Sequence, residues 1–261
     1  MKVMYKNLIS GVSVTNATNE NGTSPDNLLD GKRWNTWDFT SSGGPVYIEM
    51  TLTSPENLYG DSGVGRFFFA FNCSPSISAI TVEKLDALGD GQWHQVGELR
   101  GVRERACGED FNVIAGDSYR LNVSAQAGSI GIVFVGVAWR AGCIMYPVTR
   151  SLVDYSTVTR GVSGISYRVD RPIVRRYSIE SHFGPGAVLS DGKYSFLPRA
   201  RKVIDALGTR PTAWYFPEID PNWNYSPDAA DHCCFGSMLS GGIVDTGYGE
   251  AILRCDILEE T

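Results

Sequence analysis

The chain has 261 residues and a mass of 28.5 kDa, which is enough for one large domain or two ordinary ones, and we expect two. Hydrophobic residues make up 43% of the chain and charged residues 20%, while 29 glycines and 12 prolines favour short strands joined by turns. We therefore expect a mainly β fold. The formal charge of −6 excludes a strongly basic protein, so we expect no nucleic-acid partner.

The beginning of the chain, MKVMYKNLISGVSV, lacks the apolar run and the small-residue cleavage site of a signal peptide. No stretch approaches the roughly 20 consecutive apolar residues that cross a bilayer, so we expect no membrane insertion. We expect synthesis in the cytoplasm. The six cysteines match no disulfide framework, so reduced thiols are favoured.

Residues 24–37, SPDNLLDGKRWNTW, form the most informative stretch, and we name it the anchor turn. Asp30-Gly31 supplies a corner that tolerates a left-handed backbone. The two leucines, Trp34 and Trp37 are too apolar for a free loop, so we expect the turn to pack on a core.

The patterns of the following segments predict strands of a first domain. Val46, Ile48, Met50 and Leu52 alternate with polar residues, as in a half-buried strand. RFFFAF, residues 66–71, is apolar enough to be covered on both faces. Residues 80–99 predict a hairpin around an Asp-Gly turn, and SIGIVFVGVAW, residues 129–139, predicts a last strand with close backbone approach at Gly131 and Gly136.

A change of pattern near Cys143 predicts a domain boundary. We expect a first domain at residues 1–143, an extended connector at 144–164 and a small β-rich module at 165–261. Within that module we expect strands at 165–169, 176–183, 212–216, 232–239 and 251–258. Helical spacing of apolar residues predicts one helix at 198–207, with Gly208 as its C-terminal stop.

The anchor turn resembles the first loop of discoidin domains, which are galactose-binding-like jelly rolls. The residues that carry the resemblance are Leu29, Asp30, Gly31, Thr36 and Trp37. The hairpin at 80–99 is similar to the same pattern. The resemblance implies an N-terminal β-sandwich of the jelly-roll type, and a structural Ca²⁺ bound through Asp30. An Asx-turn hydrogen bond from Asp30 is the alternative, and no other cofactor is expected.

Carbohydrate binding would require exposed aromatic rings near polar donors at the sandwich rim. The residues that could stack on a pyranose are Trp34, Phe39, and the pair Trp93-His94. Packing in the core explains such aromatic residues as well, and the sequence leaves both interpretations open.

The chain as a whole resembles a family of bacteriophage virion proteins that are most often placed in the tail. The resemblance rests on residues 131–139, on Met145-Tyr146-Pro147, on the GVSG turn at 161–164 and on the aromatic stretch PTAWYFPEIDPNW. It implies a non-enzymatic structural part of a virion, made in the host cytoplasm. Its partners would be other virion proteins and copies of itself, with a host cell-surface glycan as a further ligand.

Docking in a virion would use the C-terminal module. Interface hot spots favour Trp, Tyr and Arg, so the predicted docking residues are Arg175, Arg176, Trp214, Tyr215 and Trp223.

The sequence contains no motif for a nucleophile elbow, a phosphate-binding loop or a zinc protease, so we expect no enzyme. In Asp231-His232-Cys233-Cys234, neighbouring residues of a strand would point to opposite faces and could not all reach one ion. We expect one of the two cysteines to be buried and the other to face outward. Two other functions stay open: a soluble carbohydrate-binding module or lectin, and a hydrolase with an unrecognised site.

Overall fold

A computed structural model describes residues 2–4, 6–53, 66–86, 89–99, 105–110, 118–137, 139–140, 143–171, 173–183, 204–205, 207–208, 210–216, 233–247 and 250–260. The described residues are mainly antiparallel β structure. The chain forms two compact units: the first contains residues 1–140 and 212–235, and the second contains residues 141–211 and 236–261. Across the described part of the chain, no helix has the length and apolar character that a bilayer crossing requires.

The first unit contains a five-stranded antiparallel sheet in the order β2-β5-β10-β7-β8. Its strands are β2 (Ile9–Thr15), β5 (Val46–Leu52), β7 (Ala79–Leu85), β8 (Trp93–Leu99) and β10 (Tyr119–Ser124). The predicted alternation is confirmed in β5, where Val46, Ile48 and Met50 are buried. The predicted hairpin is β7–β8, and Gly91 in its Asp-Gly turn has a φ of +70°.

Two three-stranded sheets complete the core of this unit. One has the order β11-β4-β3 and the other β12-β6-β9. Their strands are β3 (Ala17–Asn19), β4 (Trp37–Ser41), β6 (Arg66–Phe71), β9 (Arg105–Asp110), β11 (Ala127–Ile130) and β12 (Ile132–Val137). Val46, Ile48 and Leu121 from the five-stranded sheet share one buried cluster with Phe68 and Val133 from the other sheets. The antiparallel sheets of the first unit therefore share one buried core.

Strand β6 is buried along its whole length, as RFFFAF predicts. Phe68 and Ala70 face the sandwich core, while Phe67, Phe69 and Phe71 belong to a second apolar cluster. That cluster is completed from both ends of the chain by Met4, Ala213, Cys233 and Phe235. Here β1 (Lys2–Met4) pairs with β13 (Trp139–Arg140) and with β18 (Thr212–Tyr215).

This second cluster corrects the predicted domain division. The prediction placed residues 165–261 in one C-terminal module, whereas residues 212–235 return to the first unit. The physical reason is that the outer face of β6 carries three phenylalanines, which must be covered by apolar residues from elsewhere in the chain. The first boundary, at residues 140–141, lies close to the predicted position.

The second unit is an antiparallel sheet in the order β19-β20-β17-β14. The strands are β14 (Cys143–Asp154), β17 (Ile173–Phe183), β19 (Cys233–Gly247) and β20 (Glu250–Glu259), and the first three residues of β19 belong to the first unit. Tyr177, Ile179 and Ser181 are buried on one face of β17, as their alternation predicts. Leu253, Cys255 and Ile257 are buried on β20.

The predicted connector at 144–164 is wrong, because these residues are largely strands. β14 pairs with β17 and has a register shift between Met145 and Thr149, which accommodates Pro147. Beyond it, β15 (Thr157–Arg160) and β16 (Ser166–Val169) form a separate two-stranded sheet. β16 confirms the strand predicted at 165–169, and no residue of β15 or β16 is buried.

The predicted helix at 198–207 falls mostly outside the described residues. Ile204, Asp205 and Leu207 have helical conformation, and the N–H of Gly208 donates a hydrogen bond to the carbonyl of Ile204 at 3.1 Å. Gly208 has a φ of +46°, which confirms its role as the stop. Elsewhere the described chain contains the 3₁₀ helix η1 (Pro25–Leu29).

Candidate functional site

The anchor turn is built on η1 and closes against the sandwich core. The Oγ of Ser24 accepts a hydrogen bond from the N–H of Asp26 at 3.3 Å and caps the short helix. Trp37 is fully buried, stacks on Phe39 with ring centres 4.7 Å apart and donates from Nε1 to Oδ1 of Asn19 at 2.9 Å. The predicted packing of the turn is thus confirmed for Trp37.

Gly131 explains how closely the turn approaches the sandwich. A Cβ at Gly131 would collide with the carbonyl oxygen of Arg33, so the predicted close backbone approach is confirmed. Asn72 supports the same carbonyl by donating from Nδ2 at 2.9 Å. The strand predicted at 129–139 is accordingly interrupted at Gly131.

Asp30 is exposed at the corner of the anchor turn, and both of its carboxylate oxygens accept hydrogen bonds. The N–H of Lys32 donates to Oδ1 at 2.8 Å, and Nδ2 of Asn35 donates to Oδ2 at 2.6 Å. Gly31 has a φ of +75°. This is the geometry of an Asx turn.

The predicted sugar-stacking residues are not brought together. Trp34 is 61% exposed, which corrects the expectation that it packs on the core. Phe39 is only 1% exposed, so its ring cannot stack on a sugar and this part of the prediction is wrong. The reason is that β4 alternates, and Phe39 shares the inward face with Trp37.

Trp93 and His94 lie at the start of β8, and their side chains point to opposite faces of the strand. His94 is exposed, and its Nε2 lies 2.9 Å from Oδ2 of Asp90. Asp86, Asp90 and His94 bring their ligand-type atoms within 4.8 Å of one another, the one such group among the described residues. The N–H of Gln92, and then His94, lower the pKa of the Asp90 carboxyl, so hydrogen bonds within the turn account for the arrangement.

Trp93 belongs to a stacked cluster on the outer face of the five-stranded sheet. The guanidinium carbon of Arg120 lies 3.9 Å from the ring centre of Tyr47 and 4.5 Å from that of Trp93. Nε of Arg120 donates to Glu83 at 2.6 Å, and Nδ2 of Asn122 donates to the other oxygen of Glu83 at 2.7 Å. We name these five residues the Arg120 cluster.

Sequence reasoning missed the Arg120 cluster. A signal was present, since Tyr47, Glu83, Arg120 and Asn122 each occupy a polar, outward position of an alternating strand. Their convergence depends on the strand order β5-β10-β7-β8, which the sequence does not give. The cluster ties the ring of Trp93 to an ion pair rather than leaving it free in solvent.

The predicted docking residues have different positions. Trp214 is 1% exposed in the first unit, so it is a core residue and its assignment to docking is wrong. A large apolar side chain is expected in the core, and Ala213 next to Trp214 belongs to the apolar cluster that covers β6. Trp223 and the side chain of Tyr215 lie outside the described residues. Arg175 is half-buried, and Arg176 is exposed and pairs with Asp256 at 3.1 Å.

Among the residues that the structure describes, most of the exposed large apolar side chains lie instead on residues 150–176, which we name the hairpin arm. It comprises the end of β14, the β15–β16 hairpin and the start of β17. Eight large hydrophobic side chains of this arm are exposed: Leu152, Tyr155, Val158, Val162, Ile165, Tyr167, Val169 and Ile173. The sequence analysis gave these residues no binding role. Four of them fall within the predicted connector, and Ile165, Tyr167 and Val169 fall in the strand predicted at 165–169.

The base and tip of the hairpin arm are ordered by local hydrogen bonds. The N–H of Ser156 donates to Asp154 at 2.8 Å, and the N–H of Arg171 donates to Oγ of Ser156 at 2.9 Å. At the tip, the N–H of Gly161 donates to the carbonyl of Ile165 at 2.8 Å, and Gly164 has a φ of +80°. The exposed side chains are therefore carried on a defined hairpin.

No protein-family model matches this chain, and a search of curated proteins gives no match either.

Proposed function

We propose that the chain is a non-enzymatic structural component of a bacteriophage virion, associated with the tail. In this proposal the first unit is a jelly roll that faces outward and the second unit docks to neighbouring proteins of the particle. The sequence resemblance supplies the virion context. The observation that carries the docking role is the exposed apolar surface of the hairpin arm.

The exposure of the arm supports docking for an energetic reason. All residues of β15 and β16 are exposed, so the hairpin has no buried face in the single chain. A two-stranded hairpin on its own is marginally stable in water, and contiguous exposed apolar residues mark interaction sites. Covering a side chain such as Val158 or Tyr167 contributes about 1.5–3 kcal/mol, which favours a bound state of the arm.

The test of this proposal is detection of the chain in purified phage particles. We expect mass spectrometry to find the wild-type chain in particles that withstand a high-salt wash. A variant in which residues 157–169 are replaced by Asn-Gly should be present in the lysate and depleted from particles. The matched control is Leu239→Ser, which changes an exposed apolar residue of the second unit outside the arm. Absence of the wild-type chain from particles would refute the virion assignment.

A soluble carbohydrate-binding module is the second candidate, and the exposed ring of Trp34 favours it. Trp34 exposes its ring in the anchor turn, which also contains the polar side chains of Asp30 and Asn35. Sugar sites combine an aromatic ring that stacks on the sugar with polar groups that bind its hydroxyls. Glycan-array binding that disappears in Trp34→Ala, together with a chain that remains monomeric and absent from particles, would favour this candidate over the first.

A further inference from the structure

We propose that the hairpin arm binds the first unit of a second copy of this chain. The proposal deepens the proposed function, because it rests on docking through the arm and names the partner. Two observations support the proposal: the composition of the two faces of the hairpin, and the opposite formal charges of the arm and the first unit.

One face of the hairpin is uncharged and rich in β-branched and aromatic residues. The register pairs Thr157 with Val169 and Thr159 with Tyr167, so these four side chains share a face. All four are exposed, with Tyr167 at 59%. These residue types pack well on another sheet and have little reason to face water on both strands of a hairpin.

The opposite face of the hairpin is basic. Arg160 and Arg168 share it with Val158, and Arg168 pairs with Asp170 and Asp154. Within the described residues, Arg160 and Arg171 form no ion pair. The arm as a whole contains six arginines and two aspartates, so its formal charge is +4.

The first unit has the opposite charge. Residues 1–140 and 212–235 contain 19 acidic and 11 basic residues, a formal charge of −8. Some of the acidic side chains are exposed at the anchor turn and the β7–β8 hairpin, namely Asp26, Asp30, Asp86, Asp90 and Glu98. Each copy of the chain therefore carries one basic arm and one acidic first unit, so the two surfaces are always present in equal numbers.

Charge also decides the geometry of the contact. Contact between two arms would bring together two formal charges of +4. Contact between an arm and a first unit brings a formal charge of +4 together with one of −8. The favoured contact is thus heterologous, with a donor surface and a different acceptor surface on every copy. Such a contact generates rings when the rotation closes and filaments when it does not.

A complementation experiment tests this geometry with the full chain. The donor-defective variant is Arg160→Glu/Tyr167→Ser, which alters both faces of the hairpin. The acceptor-defective variant is Asp26→Asn/Asp30→Asn/Asp86→Asn/Asp90→Asn, which removes four negative charges. Asparagine keeps an oxygen for the turn hydrogen bonds that Asp30, Asp86 and Asp90 accept. Leu239→Ser is the matched control for the loss of an exposed apolar group.

Sedimentation of the wild-type chain and the control at low salt should show concentration-dependent oligomers. Raising the ionic strength from about 0.05 M to about 0.5 M should weaken association by about tenfold or more, because the charges are exposed. Each defective variant alone should be monomeric over the range in which wild type associates. Mixed together they should form a 1:1 dimer that grows no further, because one intact donor meets one intact acceptor.

Four outcomes would overturn the inference. Wild type could remain monomeric up to the highest soluble concentration, or the donor-defective variant could associate like wild type. The mixture could fail to form the dimer, which is the result expected for arm-to-arm pairing. The arm could be protected from proteolysis in a monomer, which would mean that it folds onto its own chain. All four are measured on isolated protein, so they are distinct from absence of the chain from particles.

Discussion

The two units differ in how completely they bury their apolar residues. Of the eleven large exposed hydrophobic side chains among the described residues, ten belong to the second unit and one, Trp34, to the first. The first unit covers both faces of β6, whereas the second unit leaves a whole hairpin in solvent. A closed core makes the first unit resemble an independent domain, while the second unit exposes the apolar surface that we propose as a docking site.

The largest expected effect sharpens this comparison within the first unit. Trp37→Ala should lower the free energy of unfolding by about 3–5 kcal/mol, because it leaves a cavity beside Phe39 and removes the hydrogen bond to Asn19. Trp34→Ala, three residues earlier, should change it by less than about 0.5 kcal/mol. Urea denaturation measures both, and similar losses for the two tryptophans would contradict the description of the anchor turn.

A second comparison uses one ion pair from each unit. Arg120→Ala should cost about 2 kcal/mol, since Arg120 is stacked between two aromatic rings and leaves the half-buried Glu83 without its charge partner. Arg176→Ala should cost less than about 0.5 kcal/mol, because its pair with Asp256 is more exposed. Equal costs in denaturation experiments would mean that the Arg120 cluster adds no more than a surface ion pair.

Alkaline pH tests whether both units have dry interiors. Burial raises the pKa of Cys73 in the first unit and of Cys255 in the second to about 12, from 9.0. The unfolded thiol ionises near pH 9 while the folded thiol stays protonated, so stability is intact below pH 9 and falls as the pH rises toward 12.

Each thiol contributes up to about 1.4 kcal/mol per pH unit to this decline. Replacing Cys73 or Cys255 by Ala should therefore make the stability less dependent on pH in that window, as measured by urea denaturation at several pH values. If the dependence of the unfolding free energy on pH is reduced in Cys73→Ala but unchanged in Cys255→Ala, water reaches the interior of the second unit.

Removal of the whole hairpin is expected to have little effect on the stability of the monomer. Replacing residues 157–169 by Asn-Gly should change the unfolding free energy of the monomer by less than about 1 kcal/mol, because no residue of β15 or β16 is buried. Thermal melting of dilute protein measures this. A large loss of stability would place the hairpin in the core of the second unit and remove the contrast between the two units.

The sequence predicted the fold well where the pattern within a single strand indicates which of its residues are buried. The alternation in β5, the burial of both faces of β6 and the inward residues of β17 and β20 follow from local patterns. At the hairpin arm the strand predicted at 165–169 is confirmed by β16, but the prediction failed for the strands β14 and β15, where it placed an irregular connector. It also failed for Cys233 and Cys234, which are both buried rather than one outward.

The candidate site was predicted less well, because a site depends on which strands become neighbours. Alternation put Phe39 and Trp37 on one face, but the sequence does not state which face is the core. The residues of the Arg120 cluster come from β5, β7, β8 and β10, so their spacing along the chain does not predict that they are in contact.

By itself, then, the sequence determined the β class, the positions of strands such as β5, β6 and β20, and the turns at Asp30-Gly31 and Asp90-Gly91, all of which arise from short-range steric and burial preferences. Only the tertiary structure decided that residues 212–235 join the first unit, that Trp214 is a core residue and that the hairpin arm is exposed. These outcomes depend on which apolar surfaces find a cover. Which apolar surfaces become buried depends on packing between segments far apart in the chain, and local sequence patterns do not predict that packing.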